Sequence, residues 1–332
     1  MSPPAPPAAG VAHAGGGSAL VVGGAVLDIL AHADDGPLPG TSNPGRIVTA
    51  PGGVAHNVAS AIARLGTPTR LLAALGDDAA GREIREALRE CGVDTSLVVT
   101  SSHPTGRYAA ILDPRGELAV AVADLRATEA LGGPWLTGPI ASLGSADLLV
   151  LEANLSAEAL VEALNVAADV GARVIVDPVS VAKAARLGRA LGATPGRPPW
   201  LLTPNLDELG ALLGAPVPER EAAEASGRLL ARGLTHVWVR LGVAGGLLVS
   251  AHEGRRPSVV RLPAPPTTLL NVTGAGDAAT AGFAHAWLAG ASPPEAAAYG
   301  HECAAATVAS EHTVRPDLLA VVGPLPANGT RP

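Results

Sequence analysis

The stretch DLLVLEANLSAEALVEALNVAADVGARVIVDPVS, Asp147 to Ser180, decides how the rest of the chain is read. Two apolar runs of strand length, DLLVLEANL and ARVIVDPVS, flank SAEALVEALNVAADVG, where apolar residues recur at helical spacing. A strand, a helix and a second strand in that order imply parallel strands with the helix crossing one face.

The same order repeats outward from this unit. Toward the amino terminus, ALVVGGAVLDIL from Ala19 opens as a buried strand, and GGVAHNVASAIARLG is a glycine-started helix ended by Gly66. TRLLAALG then reads as a strand and AAGREIREALRECG as a helix. Toward the carboxyl terminus, WLLTPN and HVWVRLG have strand character and LDELGALLG helical character. The expectation is an α/β fold, a doubly wound parallel sheet with helices on both faces, which binds ligands beyond the carboxyl ends of its strands. One region breaks the rhythm. GRYAAILDPRGELAVAVAD alternates at period two around Asp113-Pro114-Arg115-Gly116, the pattern of a hairpin. With IVTA before Pro51, it predicts a small β-sheet lid built from segments near 31–50 and 104–125. The remaining organisation is one domain over 19–320, between a disordered Pro/Ala/Gly tail over 1–18 and a second tail over 321–332.

Composition narrows the function classes. The 332 residues carry a formal net charge of -7 with no basic stripe, which argues against nucleic acid or an anionic membrane surface as partner. No apolar run approaches the roughly 20 residues of a membrane span. The start has neither a basic n-region nor an apolar h-region. Cys91 and Cys303 lie far apart without paired spacing, so neither a disulfide framework nor a cysteine metal site is expected, and a cytoplasmic location fits. Small molecules are the expected partners.

The chemistry concentrates in NVTGAGDAATAGFAHAWLAG, Asn271 to Gly290. Glycines before a helix let backbone N–H groups and the positive end of the helix dipole meet an anion. An aspartate at the same turn suits a base that takes a proton from an attacking hydroxyl, as phosphoryl transfer requires. A plain helix cap at Asp277 is the competing reading.

NVTGAGDAATAGF resembles the carboxy-terminal signature of the ribokinase (PfkB-type) carbohydrate and nucleoside kinases, and GGVAHNVASAIARLG resembles their amino-terminal one. TPNLDEL and GGAVLDI are similar to two further segments of that family, and the four occur in the family's order between Ala19 and Leu318. Within the family, TSNPGRIVTAPGGVAHNVA, ILDPRGELAVAVADL and above all DPVSVAK look most like the pseudouridine kinases. His56 and Glu152 depart from that subgroup's usual residues. The resemblance implies a ribokinase-like fold and ATP-dependent phosphorylation of a nucleoside 5'-hydroxyl. It makes Asp277 the base, with Gly274, Ala275 and Gly276 as the anion hole. Asp28, Gly52, Gly53, Asn57 and Glu152 would hold the sugar, Asn205 and Glu208 would organise phosphates and water-bound magnesium, and Lys183, Arg240 and Gly242 would lie by the nucleotide. Carbonyls of Asn271 and Thr273, with Ser310 behind them, are candidates for a potassium ion. Ser42, Asn43, Thr105 and Asp124 are candidates for reading the base, and a homodimer through the lid is expected. Alternatives stay open beside these roles. Asn205 and Glu208 also form a helix-start capping pattern; the acceptor could be ribose, uridine, adenosine or a sugar phosphate; and a non-catalytic sensor of sugar or nucleotide would share much of the site.

Overall fold

The computed structural model describes residues 17–193 and 197–325, so most of the amino-terminal tail and the last part of the carboxy-terminal one lie outside the described residues. Its strands, in chain order, are β1 (Ala19–Val22), β2 (Val26–Ala33), β3 (Gly45–Gly52), β4 (Thr69–Leu72), β5 (Ala74–Leu75), β6 (Val99–Thr100), β7 (Gly106–Leu112), β8 (Leu118–Asp124), β9 (Leu148–Glu152), β10 (Arg173–Asp177), β11 (Leu201–Leu202), β12 (His236–Arg240), β13 (Gly246–His252) and β14 (Arg255–Leu262).

Eight of these form the main sheet, in the order β14-β13-β12-β11-β10-β9-β1-β4. From β4 to β12 every pairing is parallel. The chain leaves β1 toward β4 on one side and later fills β9 to β12 on the other, so the order reverses beside β1, the place where such sheets bind ligands. The all-parallel expectation fails at one edge. β13 and β14 run antiparallel through a two-residue turn at Glu253-Gly254, where Gly254 has a φ of 65°. Glycine adopts that left-handed conformation without strain, so the hairpin closes directly and needs no crossover helix.

Both faces of the sheet are covered, as near-continuous apolar strands require. Leu148 and Val150 of β9 pack on one side with Ile62, Ile84 and Phe283. Leu149 and Leu151 pack on the other with Leu160, Leu187 and Leu209. Ser156 caps helix Ala157–Asp169 by accepting from Ala159 N at 3.0 Å, so this helix begins where its side chains direct.

The run ALVVGGAVLDIL is not one strand. Gly23 and Gly24 divide it into β1 of the main sheet and β2 of a separate four-stranded sheet, ordered β3-β2-β7-β8. That sheet contains the segments expected to form a lid, and it begins at Val26 rather than near 31. The hairpin β7–β8 turns at 113–117, where the Asp113 carboxylate accepts from the N–H groups of Arg115 and Glu117.

Candidate functional site

The site gathers where strand ends, glycine turns and two helix starts converge. Helix Ala275–Leu288 begins after Gly274, whose φ of 81° is left-handed. A Cβ there would collide with the Thr313 carbonyl oxygen, so the close approach needs glycine. Helix Val54–Arg64 begins after Gly53, whose φ is 95° and whose absent Cβ leaves room for the Gly24 backbone. The two helix starts bring together residues 220 positions apart: Asn57 Nδ2 donates to Asp277 Oδ2 at 2.8 Å.

Asp277 is partly buried, and its carboxyl is pushed up to about 7. Burial is the main cause and the Asp177 carboxylate the second; the Asn57 hydrogen bond and the Arg240 charge pull the other way. Asp28 sits two residues into β2, on the lid, and not at the end of a main-sheet strand as the unsplit run suggested. Burial raises it to about 6. It lies against Gly52, where any Cβ would overlap its carboxylate.

Next to Asp277 opens a cleft of about 390 Å³ whose walls include Asp177, Glu208, Arg240, Gly242, Gly276 and His301. Arg240 ties it together. Its guanidinium donates to Gly276 O at 3.0 Å and to Asp177 at 3.3 Å, and stands 3.7 Å from Glu208. Asn205 and Glu208 form a complete capping box, with both reciprocal bonds at 2.8 Å, and this geometry also aims the buried Glu208 carboxylate at Arg240. Asp177 opens the DPVSVAK segment that carried the resemblance, but the sequence reading gave it no role in the site. It is nearly fully buried and accepts from Thr280, Thr203, Arg240 and the N–H of Val179. His301, to which the sequence assigned no role in the site, also lines the cleft. Only its position eight residues into helix Pro293–Val308, on the face toward the sheet, places it there.

Two of the expected site residues are engaged by other groups of the protein. Glu152 accepts from Gly24 N at 2.6 Å and from the backbone and side-chain N–H groups of Asn154 at 2.8 and 2.6 Å. Being almost wholly buried, it is pushed up to about 7, and three N–H groups of the protein already donate to its oxygens. Lys183 donates to Asn154 and faces Glu152, so it stands on the β9 side of the site and not among the cleft walls. Of the candidates for reading a base, Thr105 is held by Asp78 and Gly76, Asn43 by Leu38, and Asp124 by Arg126. Ser42 is exposed. Asn271 and Thr273 lie in the loop before Gly274, which is laced to 310–313 through Asn271 and Glu311 O at 3.3 Å. Among the described residues, no cluster of three or more His, Cys, Asp or Glu is shaped for a metal, and both cysteines are free. No helix among them is long and apolar enough to cross a membrane.

Comparison with known proteins follows the same outline. Residues 18–318 match the pfkB family carbohydrate kinases. The chain is 31% identical to the pseudouridine kinase of Escherichia coli (strain K12) over 302 residues, covering 90% of this chain and 93% of that protein. A carbohydrate kinase from Agrobacterium tumefaciens superposes with a TM-score of 0.72 at 30% identity, over 93% of this chain and 98% of that one. The Arabidopsis thaliana ribokinase complexed with ribose and ATP shares the fold, with a TM-score of 0.75 at 24% identity over 92% of this chain and 99% of that one.

Proposed function

The chain belongs to the pfkB family of carbohydrate kinases and is a phosphotransferase with an alcohol acceptor, and from that premise we propose that it transfers the γ-phosphoryl group of ATP to the 5'-hydroxyl of pseudouridine. The observation that carries the reading is the Asn57–Asp277 contact at the Gly274–Gly276 turn, on a chain that resembles pseudouridine kinase along nearly its whole length. The acceptor hydroxyl loses its proton to an Asp277 oxygen as its own oxygen attacks the γ-phosphorus. The bond from that phosphorus to the bridging oxygen breaks, and ADP leaves. N–H groups at Gly274, Ala275 and Gly276 meet the charge on the transferred group, as the start of a helix does for any anion. A base near 7 is poised to hold and release a proton at neutral pH.

Asp28 on the lid accepts from ribose hydroxyls, with Gly52 and Gly53 letting the backbone approach the sugar and Asn57 beside them. Glu152 shapes this pocket by fixing Gly24 and Asn154. Asp177, Glu208 and Asp277 oppose the single guanidinium of Arg240 in the cleft. A polyanionic nucleotide enters such a place only with a cation. Asp177 and Glu208 fit water-bound magnesium, which when present neutralises phosphate charge. The carbonyls of Asn271 and Thr273, with Ser310, suit a potassium ion beside the turn. Arg240, Gly242 and His301 line the nucleotide side.

A homodimer through the lid is part of the same proposal. Ile47 and Val122 are each 70% exposed, and Ile111 and Val120 share their face, since Ile47 is opposite Ala31, Ala31 opposite Ile111 and Ile111 opposite Val120. A second copy covers this apolar face and the open sheet edges. The two free cysteines accord with a cytoplasmic enzyme. The test is product formation from ATP and magnesium with pseudouridine, uridine, adenosine or ribose, and with Asp277→Asn as control. Preferential 5'-phosphorylation of pseudouridine is expected; brisk turnover of another acceptor and none of pseudouridine would reassign the substrate.

A further inference from the structure

Helix Val54–Arg64 presents Asn57 to the base, and the residue before it is enclosed at Asn57's side. His56 is 5% exposed, and its Nδ1 lies 3.1 Å from Asn57 Oδ1. Its Nε2 is buried and has no hydrogen-bond partner among the described residues. We propose that His56 is a positioning residue for the catalytic base: its Nδ1–H holds the Asn57 amide so that the NH2 group, and not the carbonyl oxygen, faces Asp277. This rests on the reading of Asp277 as the base.

A primary amide can turn over and exchange its two ends. Turned the wrong way, Asn57 would set a carbonyl oxygen against a carboxylate. Burial pushes the imidazole down to about 4, and Arg64 on the same helix adds to this, so His56 is neutral and carries one ring proton. A proton on Nε2 would leave a buried N–H without an acceptor and set two acceptors 3.1 Å apart at Nδ1. A proton on Nδ1 makes that contact a hydrogen bond and leaves only an acceptor unsatisfied, the milder penalty. The relay then runs from imidazole N–H to amide oxygen, and from amide N–H to the Asp277 carboxylate. The charged groups that bear on Asp277 from the sheet are Asp177 on β10, Arg240 on β12 and Glu152 on β9. None of them contacts the Asn57 oxygen, so among the described residues His56 holds the oxygen end of the amide while Asp277 receives the other.

The test measures kcat against pH for wild type, His56→Asn, His56→Gln and Asp277→Asn. Asparagine carries an N–H near the position of imidazole Nδ1, whereas glutamine carries its own near Nε2. His56→Gln is expected to lower kcat about tenfold and to move the acid limb to higher pH, because the carboxylate loses the hydrogen bond that favours its charged form. His56→Asn is expected to recover most of both losses. If both variants match wild type, or both fall alike with the acid limb unmoved, His56 only fills space and the proposal is overturned. A separate reading comes from the imidazole 15N shifts of the unsubstituted protein, where the Nδ1–H tautomer is expected and the Nε2–H tautomer overturns the inference even if a variant does not fold. Full turnover by Asp277→Asn would instead remove the base assignment, a failure distinguishable from that of His56.

Discussion

Asp277 is held in a position that costs the fold some stability. Its carboxyl is raised to about 7 by burial and by Asp177. A folded-state value above the ordinary one means that the charged form is disfavoured: the stability is full below about 4 and is lost as pH rises through 7. Asp277→Asn removes the charge, so we expect it to raise Tm by about 2 °C or more at pH 8, with little change at pH 4, while abolishing phosphoryl transfer. Calorimetry at the two pH values checks the first part and product analysis the second. For the unsubstituted enzyme, kcat is expected to fall below pH 7 with a single acid limb, measured at saturating ATP. The aspartate and its glycines were legible in the sequence because they are adjacent there. Asp177 was not, because its partners Thr203, Arg240 and Thr280 come from three other elements and meet it only in the folded chain.

The elements meet the site through their ends. Gly274→Ala would set a methyl group on the Thr313 carbonyl oxygen in a left-handed conformation, so the helix start must move. We expect a loss in kcat of about a hundredfold, with far-UV circular dichroism unchanged; a variant with wild-type kcat would mean that the anion site tolerates displacement. The capping box of Asn205 and Glu208 shows why two readings of one pattern need not compete: the bonds that start helix Leu206–Leu213 also fix the carboxylate that faces Arg240. The division of ALVVGGAVLDIL between two sheets was hidden because both halves are apolar and β-branched, and the Gly-Gly pair inside it passes for a strand irregularity. Val179 is a further case. It is the one non-glycine described residue with a positive φ, 68°, two residues after Asp177 and on the cleft wall. Nothing in the residue type announces that strained backbone.

At the scale of the molecule, the alternation of strand and helix carried the two-faced sheet, while the edge hairpin β13–β14 escaped because its turn at Glu253-Gly254 is short and its strands alternate only weakly. The lid's outward apolar face supports a test of assembly. Val122→Glu introduces a charge on that face, on its edge strand β8, and light scattering is expected to show a dimer for the unsubstituted chain and a monomer for the variant; a monomeric unsubstituted chain would sink the lid interface. The passage between the two sheets has a mechanical meaning as well. β1 ends in the body at Val22 and β2 begins in the lid at Val26, and between them Glu152 grips the N–H of Gly24. The crossing segment is therefore a hinge with one pinned point, so a movement of the small sheet against the body would turn about Gly24 and not slide on a slack tether.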